Sequence, residues 1–161
     1  MKISKRHPLR KSKIENLKSK LREQIGDEVE EFIKDRVEKV ETDEGILYAQ
    51  EQEIIAFRLK DKIYPSLQAL NKDIVHLPTV TVDMGAVPYV TNGADIMAPG
   101  ITNIEEGIKK GDIIAVIDEN YGKSLAVGKM LYDREQVLQM KKGKVITSIH
   151  YVNDEIWSIE L

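Results

Sequence analysis

The stretch TVTVDMGAVPYVTNGADIMAPGI, residues 79–101, decides how the second half of the chain is read. Its first six residues alternate. Val80, Val82 and Met84 fall on one face, and Thr79, Thr81 and Asp83 on the other, which predicts a strand with one buried side. Gly85 breaks the alternation. Residues 86–92 have the length of a short helix, and Gly93 supplies the left-handed residue that ends one. Ile96-Met97-Ala98 reads as a brief strand stopped by Pro99-Gly100.

Working outward, residues 104–107 read as one more turn. Gly111-Asp112 introduces an apolar strand at 113–117, and Asn120-Tyr121-Gly122 turns the chain. Residues 124–132 form a strand that holds Gly128, at a bulge or a close approach. Asp133 caps a short helix to Met140, and Lys142-Gly143 is a turn. Residues 145–152 and 155–161 read as a closing hairpin around Asn153-Asp154, with Trp157 packed in the barrel. His150 and Tyr151 alternate on the first of these strands, so only one of them faces the core. About six short strands with one or two helical turns predict a small mixed β-barrel.

Upstream the pattern differs. Residues 1–12 are basic, contain Pro8 and have no apolar period, which predicts an extended arm. A helix is expected from Ser12, with Glu15 completing a capping box. Ile14, Leu17, Leu21 and Ile25 form its apolar stripe, and Gly26 ends it. Asp27 is expected to cap a second short helix, with Glu30 three residues on, that turns Val29, Phe32 and Ile33 inward. Residues 37–42, 46–50 and 53–59 read as strands, joined by turns at Asp43-Glu44-Gly45 and Glu51-Gln52. Asp61-Lys62 reads as a further turn. Tyr64-Pro65-Ser66 then leads into a short helix at 66–70 that buries Leu67 and Leu70. The expected organisation is an α+β domain at 1–73 followed by a barrel domain at 76–161.

Composition limits the functional classes. Apolar residues make up 42 % and charged residues 32 %, enough for a packed core. There is no cysteine, so disulfides and thiolate metal sites are excluded. The three histidines, His7, His76 and His150, lie far apart, so no metal is expected. The longest apolar run, at 113–117, is too short to cross a bilayer, and no apolar segment follows the charged start as in a secretory signal. A cytoplasmic location is expected, with no membrane partner. The net charge of −3 conceals an asymmetry. Residues 1–22 hold nine cations (Lys2, Lys5, Arg6, Arg10, Lys11, Lys13, Lys18, Lys20 and Arg22) against Glu15 alone, a local +8, so the remainder carries −11. Attraction to phosphate follows the local field and not the total, so this basic arm is expected to contact nucleic-acid phosphates.

Taken together, Val82-Asp83-Met84-Gly85-Ala86, Val90 and Gly93-Ala94-Asp95-Ile96-Met97-Ala98-Pro99-Gly100-Ile101 resemble the signature of the PUA domain. Gly111-Asp112 and Ala126-Val127-Gly128 sit where that domain has them. The end of the chain, Ile149-His150-Tyr151-Val152-Asn153-Asp154-Glu155-Ile156-Trp157, is similar to the malignant T-cell amplified sequence protein and ligatin family, including its archaeal members. The first half, with its Lys-rich opening and Tyr64-Pro65-Ser66-Leu67, resembles the pre-PUA domain of that family. The resemblance implies a pre-PUA α+β domain followed by a PUA-like mixed barrel. It implies RNA binding without catalysis, in contact with tRNA or rRNA and the small ribosomal subunit, in initiation, reinitiation or recycling. It also implies a protein partner bearing a translation-initiation-type domain.

Carried over residue by residue, the RNA-facing positions of a PUA domain are Gly85, Ala86, Tyr89, Gly93, Ala94, Ile96 and Met97 here. The chemistry is coherent, since glycine lets backbone N–H groups approach a phosphate or sugar, and Tyr89 and Met97 suit an unstacked base. Residues 79–101 contain no Lys or Arg. That favours contact with an RNA end or a ribose edge. Lys123 and Lys129, with Lys141, Lys142 and Lys144, are candidates for backbone contacts. P-loop, GxSxG and GxGxxG motifs are absent, and no cofactor is expected. An alternative reading is an RNA-binding module that recruits a separate RNA-modifying enzyme.

Overall fold

The structure, a computed structural model, describes all residues from Met1 to Leu161 and divides them into two compact units. The first comprises Met1–His76 together with Glu155–Leu161, and the second Leu77–Asp154.

The first unit is a five-stranded antiparallel meander in the order β1-β2-β3-β4-β5. Its strands are β1 (Ile3–Pro8), β2 (Glu38–Thr42), β3 (Ile46–Gln50), β4 (Glu53–Leu59) and β5 (Lys62–Pro65). The basic start is therefore not a free arm. It pairs with β2 along its length, with Arg6 opposite Val40 and His7 opposite Lys39. Helix α1 (Lys11–Ile25) buries Ile14, Leu17 and Leu21, as its stripe requires, and stops at Gly26 with φ of +67°. The expected Ser12–Glu15 capping box does not form. Arg10 occupies the cap position, two residues earlier than expected, and no side chain caps the helix. Asp27 likewise makes no cap for α2 (Val29–Phe32), which is preceded by a 3-10 turn at Gly26–Glu28. Val29, Phe32 and Ile33 are buried.

Strand β5 falls where only a turn was expected. It is the short partner of β4, and Phe57 meets Tyr64 across it with ring centroids 5.4 Å apart. The turn before β4 places Glu51 and Gln52 at positive φ, the handedness that matches strand twist in a two-residue hairpin. Ser66 caps α3 (Leu67–Asn71) by accepting the Ala69 N–H at 3.1 Å.

The second unit is a nearly closed six-stranded sheet in the order β7-β11-β10-β9-β6-β8. Its strands are β6 (Thr79–Val82), β7 (Ile96–Met97), β8 (Ile101–Ile104), β9 (Ile113–Asp118), β10 (Ser124–Met130) and β11 (Lys144–Tyr151). Short helices α4 (Val87–Val90) and α5 (Arg134–Val137) lie between them. All neighbours are antiparallel except β6 and β9. β8 was not anticipated, because Pro99-Gly100 reads as a stop and not as the link to a further strand. Asp133 and Gln136 form the reciprocal cap of α5.

Two expectations at the end of the chain fail. Residues 155–161 do not pair with β11, because α6 (Glu155–Ser158) forms there and joins the first unit. Its carbonyls explain the choice, since Gln68 Nε2 donates to Ile156 O at 3.0 Å and the Met1 ammonium meets Glu155 Oε1 at 3.0 Å. Trp157 is half-buried in that unit and takes no part in the barrel. His150 is fully buried and meets Asp154 Oδ2 at 2.7 Å, while Tyr151 is half-buried against the barrel core.

Gly128 marks a bulge between β10 and β11, where the register shifts between Val127 and Gly128. A Cβ at this position would lie 2.4 Å from Ile146 Cγ2 and 3.0 Å from the Thr147 carbonyl. Both neighbours are held in β11, so neither can move cheaply. Gly128→Ala is expected to destabilise the protein by about 1–3 kcal/mol through overpacking. Urea unfolding should show a lower midpoint with an unchanged slope.

Candidate nucleic-acid interface

The loop after β6 is built around Asp83. Its backbone N–H donates to Gly100 O at 2.9 Å, and its Oδ1 accepts the Ala86 N–H at 2.8 Å. Asp83 thus serves the turn, which is why β6 ends at Val82. Met84, expected on the buried face, is instead 37 % exposed, and its N–H donates to Glu119 Oε1 at 3.1 Å. Gly85 is exposed. Ala86 lies against Gly100, where a Cβ would come within 3.2 Å of its methyl group.

Helix α4 carries Tyr89 outward, 69 % exposed. Gly93 follows with φ of +91°, and its Cα side rests on the Tyr151 ring, whose Cζ would be 2.8 Å from any Cβ there. Glycine is demanded both by the dihedral and by the ring. Ala94 is exposed, and its N–H donates to Tyr89 O at 3.0 Å. Asp95 is committed inside the unit, with Oδ1 accepting the Ser148 N–H at 2.8 Å and Oδ2 meeting Lys144 Nζ at 3.2 Å. Ile96 is 3 % exposed and faces the barrel core opposite Ile146, so its side chain cannot touch a ligand. Met97 alternates to the other side and is 48 % exposed.

Of the expected RNA-facing set, the structure therefore presents Gly85, Tyr89, Ala94 and Met97 to solvent, and assigns Ile96 and Gly93 to support. Met84 is exposed as well, although strict alternation places it inside. The signal available was Gly85, one residue after it, which cuts the strand short. Lys123 is exposed and Lys129 half-buried in β10, while Lys144 is engaged by Asp95.

The nine arm cations also divide. Arg6 is bound by Glu38 and Gln52, Lys18 by Glu15 and Glu30, and Arg22 by Glu30. These are held by carboxylates. Lys5, Arg10, Lys11, Lys13 and Lys20 make no salt bridge, and Lys2 is exposed near Asp43. No helix is long and apolar enough to cross a membrane.

Comparison with known proteins matches residues 78–152 to the PUA domain and residues 5–73 to a domain of unknown function, DUF1947. An uncharacterized protein of Methanocaldococcus jannaschii is 39 % identical over 99 % of both chains. Translation machinery-associated protein 20 of Saccharomyces cerevisiae is 32 % identical over 99 % of this chain and 94 % of its own. Malignant T-cell-amplified sequence 2 of Mus musculus is 33 % identical over 94 % of this chain and 90 % of its own. The chain belongs to this family of PUA-domain proteins. The crystal structure of a hypothetical protein from Pyrococcus horikoshii superposes with a TM-score of 0.85 at 34 % identity, over 98 % of this chain and 100 % of the other. The expected fold class, a pre-PUA α+β domain before a PUA-like barrel, holds on both counts.

The loop bearing Lys123 in the PUA domain is shaped by Asp118, a buried carboxylate at the end of β9. It accepts N–H groups from Asn120 at 3.0 Å, Tyr121 at 2.5 Å and Lys123 at 3.1 Å. Burial pushes its pKa up, but these N–H donors outweigh it and hold the carboxyl below its ordinary value. The stabilisation is therefore fully present above the unfolded value of about 3.9 and is lost as pH falls through the lower folded value. Asp118→Asn is expected to cost about 1–3 kcal/mol at pH 7. The difference from the parent protein should shrink in urea melts as the pH is taken progressively below the ordinary carboxylate range.

Proposed function

We propose that the protein is a non-catalytic RNA-binding factor of translation, acting on tRNA or on the small ribosomal subunit. The observation that carries the reading is a division of surface character within one family-length chain. The PUA domain exposes Met84, Tyr89 and Met97 along a segment free of Lys and Arg, whereas the first unit presents the unpaired cations. An aromatic ring and a thioether beside an open glycine loop suit an unstacked base or an RNA end. Unpaired lysines and arginines suit phosphates. In this reading the second unit selects the RNA feature and the first holds the strand. Relatives named as translation machinery-associated proteins support a site of action in translation, and a partner bearing a translation-initiation-type domain fits the same role.

Purified protein is expected to bind small ribosomal subunits or tRNA at low salt. If five cations meet phosphates, log affinity should fall against log salt with a slope of roughly −3.5 to −4.5. Tyr89→Ala, at an exposed position, should weaken RNA binding by about 5- to 150-fold, the value of one stacked base. Absence of binding to both subunits and tRNA would refute the proposal. Recovery from lysate of RNA-modification enzymes without ribosomal proteins would favour a recruiting role instead.

A further inference from the structure

The first unit contains a cleft of about 680 Å³, within the size range of ligand sites. One wall is α1, which contributes Arg10, Lys13 and Lys20. The floor is the sheet, which contributes Lys39, Tyr48 and Arg58. Strand register explains the floor. His7 stands opposite Lys39, and Lys39 opposite Tyr48, so these three form one cross-strand row. Tyr48 faces Ala56, and Arg58 lies two residues further along β4, on the same side of the sheet.

Five cationic side chains line this cleft and no Asp or Glu does. Elsewhere in the unit several cations are matched with carboxylates, as in Arg6 with Glu38, Lys34 with Glu51 and Lys72 with Glu53. Within the cleft only Lys39 has such a partner, Glu41 at 3.3 Å. Converging like charges repel, and a bound anion removes that repulsion. Two polar atoms of the floor are buried without a hydrogen-bond partner, Arg58 Nε and His7 Nδ1. Buried polar groups are rarely left so in a folded protein. The N-terminus of α1, with no side-chain cap at Arg10, adds the positive end of a helix dipole. Tyr48 supplies a hydroxyl that burial keeps protonated, although Arg58 opposes this.

We propose that this cleft is a phosphate-binding site that takes a phosphodiester of an RNA strand on the Arg58 guanidinium, flanked by Lys13 and Lys20. Arginine's planar fork matches two phosphate oxygens at once, which a lysine in its place does not. The RNA source rests on the function proposed above. The phosphate chemistry stands without it, since a small phosphorylated molecule presents the same group.

The test uses the full chain, titrated with inorganic pyrophosphate and with a single-stranded RNA oligonucleotide and followed by amide chemical shifts. Lys13 and Lys20 are exposed, so the Lys13→Gln/Lys20→Gln double variant keeps the fold, and Arg58→Lys keeps the charge while removing the fork. Saturable shifts are expected at amides lining the cleft. The double variant should bind RNA at least about tenfold more weakly, with a salt slope shallower by about 1.4, two phosphate contacts on a single strand. Arg58→Lys should weaken pyrophosphate severalfold. If RNA binds the parent protein but affinity and slope are unchanged in both variants, the cleft proposal fails while RNA binding stands. If pyrophosphate saturates the cleft and RNA does not bind, the phosphate site stands with a small-molecule source and the RNA reading fails. If neither ligand shifts the cleft amides, the site is overturned.

Discussion

The 3-10 turn Ala98–Gly100 joins β7 directly to β8, and these two strands are the opposite edges of the six-stranded sheet. A link that short requires the sheet to curl until its edges approach. The rest of the PUA domain follows from that closure. Gly100 has to receive the Asp83 N–H and make room for the Ala86 methyl group, so the loop after β6 is drawn against the seam. Once that loop is fixed, α4 and Gly93 have one path back to β7, over the Tyr151 ring. The solvent-facing Met84, Tyr89 and Met97 are the side chains left outside this tightly folded seam.

The two units treat charge in opposite ways. In the PUA domain the carboxylates near the seam are bound to backbone N–H groups or to Lys144, so the surface around Tyr89 carries little free charge. In the first unit α1 and the sheet bring cations together faster than carboxylates can match them. The exposed apolar side chains of one unit and the clustered cations of the other are separable features, because each set is assembled from residues of a single unit.

Much of this was legible from local pattern. The stripe of α1, the residues that form β3 and β4, the bulge at Gly128 and the capping by Asp133 all depend on neighbours in sequence, and all appear in the structure. What escaped depends on distant partners. β5 and β8 are four residues each and exist because β4 and β6 offer open edges. The basic start became a strand because β2 accepts it. Residues 155–161 alternate well enough for a strand, but their carbonyls find Gln68 and their acid finds the Met1 ammonium. For the interface, composition located the basic region and the motif located the seam. Which cations remain free was settled by carboxylates far away, Glu38 for Arg6 and Glu30 for Arg22. Arg58 and Lys39 entered the cleft through strand register, which no local window records.

The return of α6 to the first unit means that the PUA domain is an insertion within the other unit's chain. Its two junctions, at His76–Leu77 and Asp154–Glu155, interrupt a body that is otherwise continuous. On the ribosome, where synthesis runs from the N-terminus, all six barrel strands emerge before Glu155 does. The first unit is begun first and finished last. The carbonyl that holds Gln68 is therefore supplied, in chain order, after every strand of the barrel.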